Sequence, residues 1–160
     1  MSEIKNRKWI LEQLLTKQKK KQVVEYGVLF DQCIDALGAG TYIISEEKSE
    51  EIYDCLQRLY PFSPYSRVDW GKVSSKKMME NVNVIVPCIT EVYGQVEDFI
   101  FILWSYGNFP VLKTSLQKTI NAIDDVLAVS SDTFILSPSK FVIEFHHEGE
   151  ITVGFENQTL

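Results

Sequence analysis

Two histidines, His146 and His147, stand side by side near the end of the chain in the stretch KFVIEFHHEGEITVGFEN, and the sequence contains no others. Glu144, Glu148 and Glu150 flank them, so imidazole and carboxylate groups that could ligate a metal or move a proton are concentrated within a few residues. Whether they act together depends on the element that presents them. Alternating apolar residues on both sides of Glu148-Gly149 point to a β-hairpin.

Register decides where the imidazoles go. A two-residue loop would set Phe145 against Thr152 and Ile143 against Gly154, mixing apolar with polar or absent side chains. A three-residue loop, His147-Glu148-Gly149, sets Phe145 with Ile151, Ile143 with Val153 and Phe141 with Phe155 on one face. It also gives the glycine the left-handed position that closes such a turn. In this register His146 faces Glu150, and Glu144 faces Thr152 on the wet side, while His147 lies in the turn. The two rings are then expected to point apart. A metal needs three or four ligands, and Glu144, His146 and Glu150 alone do not supply them, so no metal or cofactor is expected.

Other candidates are sparse. Asp124-Asp125 is expected at a helix exit, where negative charge opposes the dipole, and Asp132 follows shortly after. Arg67, Trp70, Lys72, Lys76 and Lys77 combine cations with an aromatic ring that could meet phosphate or a base, but the acidic remainder argues against nucleic acid. Cys33, Cys55 and Cys88 are odd in number and set in apolar surroundings, the pattern of buried free thiols. No phosphate loop, dinucleotide fingerprint, nucleophile elbow or zinc-helix motif occurs, and no catalytic residue is assigned. The chain reads as a binder and not as an enzyme.

The elements that must position these residues are expected in a definite order. Helices are predicted at 3–21, 23–37 and from the Ser45 cap to Leu59, with a short strand at 41–44 between the second and third. Residues 61–81 form a surface connection with one helical turn at 75–80. Strands follow at 82–86, 98–105, 133–136, 141–146 and 151–155, with one helix at 111–123. The architecture is α+β: N-terminal helices followed by a mostly antiparallel β-sheet ending in a C-terminal β-hairpin. The 160 residues make a single domain, helical over 1–60, connecting over 61–81 and sheet with one helix over 82–157.

Charge is unevenly divided. The net charge is −6, yet residues 1–22 hold seven Lys or Arg against two Glu, which leaves −11 for the rest. Residues 88–160 carry ten carboxylates against Lys113, Lys118 and Lys140. Such a surface attracts basic proteins and repels nucleic acid. No apolar run is long enough to span a bilayer and no secretory signal opens the chain, so a cytoplasmic location without membrane contact is expected.

Four stretches carry a resemblance: Trp104-Ser105-Tyr106-Gly107, Asp124-Asp125-Val126, Ser131-Asp132-Thr133-Phe134-Ile135, and Glu144 through Ile151. This part of the chain resembles small bacterial immunity proteins, in particular those of contact-dependent growth inhibition systems. The resemblance implies a non-catalytic protein that binds the C-terminal domain of a cognate toxin, a basic nuclease, in a 1:1 complex and covers its active site. Glu144, His146, Glu148 and Glu150 from the hairpin, with Asp124, Asp125 and Asp132, are then expected to face the toxin. A secretion chaperone, dimeric and holding a client on apolar grooves, is the alternative binder. A metal-dependent enzyme using His146, Glu144 and an aspartate is the alternative from another class.

Overall fold

The computed structural model describes residues 25–95 and 99–156. The expected helix at 3–21 and the basic segment around it lie outside the described residues. Within them, seven strands form one sheet that is antiparallel at every pairing. They are β1 (Tyr42–Ile43), β2 (Lys76–Met79), β3 (Phe99–Trp104), β4 (Leu112–Ser115), β5 (Thr133–Ser137), β6 (Phe141–Phe145) and β7 (Ile151–Phe155), in the spatial order β1-β4-β3-β5-β6-β7-β2. Five α-helices accompany them: α1 (Val28–Leu37), α2 (Glu46–Leu59), α3 (Ile85–Tyr93), α4 (Leu116–Asn121) and α5 (Ile123–Ala128). The α+β architecture with an antiparallel sheet and a C-terminal hairpin is as the sequence predicts. No helix among the described residues is long and apolar enough to cross a membrane.

Both faces of the sheet are covered, which the sequence reading did not anticipate. Ile100, Ile102, Trp104, Ile135, Phe141, Ile143, Phe145 and Val153 point to one face and join Phe30, Cys33 and Leu37 of α1, Ile85 and Ile89 of α3, Leu116 of α4 and Val126 of α5. Residues between them in the strands, Leu103, Phe134, Leu136 and Val142, point to the other face and meet Leu56, Tyr60 and Val68. Helix α2 and the chain that follows it therefore cover the second face. Side chains alternate across a strand, so a strand apolar at every position needs two covered faces.

Local sequence explains the helices. In α1, Phe30, Cys33 and Leu37 recur at helical spacing and are buried, and Gly38 at φ 74° ends the helix. The Ser45 side chain accepts a hydrogen bond from the Lys48 amide at 3.3 Å and caps α2, whose first turn holds Glu46 and Glu47 and whose last turn holds Arg58. Three hydrogen bonds anchor α2 to β3 and to the residue before β4. The Tyr53 hydroxyl donates to the Trp104 carbonyl at 2.8 Å and accepts from the Trp104 amide at 3.1 Å, and the Val111 amide donates to Ser49 Oγ at 3.0 Å.

Three expected elements are corrected. Residues 112–115, predicted as the start of a helix, form β4 between β1 and β3; the helix begins at Leu116 behind the Ser115 cap. Residues 82–86, predicted as a strand, form a 3₁₀ turn at Val82–Val84 and the start of α3, with the Asn81 side chain accepting from the Asn83 amide. The helical turn predicted at 75–80 is the edge strand β2 against β7. Each short segment fits either period; pairing with distant strands decides the first and third, and the Asn81 cap with burial of Ile85 and Ile89 decides the second. The described residues from 82 onward accordingly carry three α-helices and not one.

Residues 61–73 cross the second face and are fastened there by Glu144. Its carboxylate, 1% exposed, accepts from Arg67 Nη2 at 2.8 Å, the Val68 amide at 2.9 Å and Trp70 Nε1 at 3.1 Å. The Trp70 ring lies against Gly154, where an added Cβ would stand 2.8 Å from it. The glycine leaves room for the indole to reach the carboxylate.

Glu144→Ala leaves the Val68 amide and the Trp70 indole N–H without their acceptor and the Arg67 guanidinium with Glu150 alone, and urea denaturation is expected to show a loss of about 3–5 kcal/mol. Burial, aided by the charge of Asp125, pushes the Cys33 thiol from 9.0 up to about 12. The folded protein keeps this proton while the unfolded chain gives it up at its ordinary value. The thiol's contribution to stability is therefore intact below pH 9 and lost as pH rises from there toward about 12. In the folded state at about pH 8, alkylation is expected at half-buried Cys55 well before buried Cys33, read by mass spectrometry.

Candidate functional site at the hairpin tip

The hairpin has the register that the sequence dictates. Phe141 pairs with Phe155, Ile143 with Val153 and Phe145 with Ile151 on the apolar face, and Glu144 pairs with Thr152 on the other. The His146 amide donates to the Glu150 carbonyl and the Gly149 amide to the His146 carbonyl, both at 2.9 Å, and Gly149 takes φ 97°. The three-residue turn is thereby closed.

What lies beside the turn differs from expectation. Asp132, immediately before β5, is only 3% exposed. One of its oxygens, Oδ1, accepts the His147 amide at 2.7 Å and stands 3.1 Å from His147 Nδ1. A carboxylate oxygen in this contact accepts, so His147 Nδ1 is the donor. His146 Nδ1 accepts from the Glu148 amide at 3.3 Å. The two imidazole centroids are 4.1 Å apart with planes tilted by 37°. The expectation that the rings point apart is corrected: the Asp132 carboxylate, distant in sequence, draws the turn residue back beside its neighbour.

The seven residues singled out for a partner divide into two groups. His146 is half-buried, Glu148 and Glu150 are exposed, and Asp124 is exposed beside half-buried Asp125. Glu144 and Asp132 are buried and hydrogen-bonded within the chain, so the expectation that Glu144 lies on a wet face is corrected. The covering segment 61–73 is the cause. Glu150 remains on the surface while its Oε2 meets Arg67 Nη2 at 3.3 Å, joining the tip to the same segment. Arg67 and Trp70, considered as nucleic-acid contacts, are committed to Glu144. The position of Asp124-Asp125 is corrected too. They occupy the first turn of α5, where negative charge favours the helix.

Removing the Asp132 carboxylate is expected to loosen the tip without unfolding the sheet. Asp132→Ala should cost about 1.5–3 kcal/mol, the range for hydrogen bonds to a charged group, and speed hydrogen exchange at the His147 amide while the Ile143 amide stays protected.

Comparison with known proteins places this geometry in a family. No curated protein matches the chain. A family described as CdiI immunity protein, EcoliA0-like, matches residues 27–154, a span that contains every described helix and strand except the last residue of β7. The chain belongs to the CdiI immunity proteins of contact-dependent growth inhibition systems.

Proposed function

We propose that this immunity protein neutralises its cognate toxin by binding the toxin's C-terminal domain 1:1 in the cytoplasm, and that the domain is a basic nuclease whose substrate surface it covers. The family match over residues 27–154 carries the reading. The exposed carboxylates at the hairpin tip give it a physical form. A nuclease must offer cations to phosphate, and an inhibitor that sets carboxylates in the same places competes for them. The net charge of −6 also speeds the encounter with a basic partner.

Within this reading the contacts are Glu148 and Glu150 with His146 at the tip, and Asp124 and Asp125 at the start of α5. Glu144 and Asp132 shape the surface from beneath: one holds the covering segment and the other holds the turn. No catalytic step is assigned to any of them. The protein acts by occupying space and charge.

The test is calorimetry and stopped-flow binding with a catalytically inactivated toxin domain encoded beside this protein, at two salt concentrations. A stoichiometry of one and an affinity that falls with salt are expected. The double variant Glu148→Lys/Glu150→Lys should slow association by about tenfold or more. An association rate untouched by salt and by charge reversal would remove the tip from the interface.

A further inference from the structure

Asp132, His146 and His147 each offer a ligand atom at the hairpin tip, and these atoms all lie within 4.8 Å of one another. We propose that the three side chains form a binding site for a divalent transition-metal ion of the zinc, nickel or copper class. The inference stands on these residues alone and is independent of how the toxin is bound.

The donor set selects the ion. Two imidazole nitrogens and one carboxylate oxygen suit borderline cations, whereas magnesium and calcium require mostly oxygen donors. The geometry is close to what such an ion needs. With metal–nitrogen bonds of about 2.0–2.1 Å, ligand atoms of a tetrahedral site lie roughly 3.3–3.5 Å apart. His147 Nδ1 and Asp132 Oδ1, joined by a hydrogen bond in the metal-free protein, are already 3.1 Å apart; the ion takes the place of the shared proton, which is released on binding, and the wider separations close by rotation of half-buried His146 and exposed His147. The His147 side chain is 52% exposed, so the ion has an open approach.

Charge argues in the same direction. Among the described residues Asp132 has no lysine or arginine partner, and its only ion-pair contact is His147. A buried carboxylate compensated by hydrogen bonds alone gains from a bound cation. Burial also fixes Asp132 in place, so the least mobile ligand anchors the two freer ones. The ion exchanges the 3.3 Å contact between the Glu148 amide and His146 for a coordinate bond. Glu144 takes no part, since its oxygens are committed to Arg67, Val68 and Trp70. Three protein ligands leave one position for water or for a group from a partner docked at the tip.

The experiment is a titration of the chelator-treated full-length protein with Zn²⁺ and Ni²⁺ by calorimetry, and with Co²⁺ by visible absorption. One ion per chain is expected, with Co²⁺ bands of a site of low coordination number. His146→Gln and His147→Gln should each weaken binding by roughly tenfold or more, and the Cys55→Ser control should not. His146 makes no bond to Asp132, so His146→Gln tests ligation while the turn stays closed; circular dichroism confirms its fold. Absence of stoichiometric binding, or binding that His146→Gln leaves unchanged, overturns the proposal. Loss of binding in Cys55→Ser overturns it as well, by moving the site to the thiol.

Discussion

One buried carboxylate, that of Glu144, holds the second face of the sheet together. A carboxylate taken out of water needs compensation, and here a guanidinium, a backbone amide and an indole N–H all converge on it. Those three donors come from residues 67–70, so the charge in β6 determines where the connection after α2 must lie. Once it lies there, Val68 is buried against the sheet, Tyr60 and Leu56 are enclosed, and the Trp70 ring fills the space above Gly154. An apolar residue at position 144 could bury itself, but it could not specify which segment covers it.

The same constraint shapes the surface of the hairpin. Because the covering segment takes up one face of the hairpin, Glu144 within β6 is buried, and Glu148 and Glu150 at the tip are exposed. Arg67 spans both situations: it bonds buried Glu144 and, from the same nitrogen, exposed Glu150. Asp132 repeats the principle on a smaller scale, with a buried carboxylate holding the turn that carries the histidines. The acidic surface exposed at the hairpin is thus smaller than the sequence implies, and it rests on two carboxylates that are themselves buried.

Where the pattern is local, the sequence is legible. Alternation of Phe141, Ile143 and Phe145 against Ile151, Val153 and Phe155 determines the hairpin register, because a slip of one residue would set Phe145 against Thr152 and Ile143 against Gly154. The Ser45 cap and the spacing of Phe30, Cys33 and Leu37 locate two helices in the same way. Where the outcome depends on distant parts of the chain, the reading fails. Residues 112–115 fit a helical stripe until β1 and β3 claim them, and nothing near Glu144 announces that Val68 will be its partner. One signal was available: Phe99 to Trp104 is apolar throughout, and an uninterrupted apolar strand implies cover on both faces. That implication would have placed Glu144 under a lid and drawn attention to Arg67 and Trp70 as its partners.

The most direct measurement is hydrogen exchange at the Val68 amide and the Trp70 indole by NMR. If Glu144 fastens the connection, both protons exchange only with global unfolding, at the same free energy as the Ile143 amide in β6. If they exchange as freely as an open surface loop while Ile143 remains protected, residues 61–73 are not bound to the sheet and the account of Glu144 is wrong.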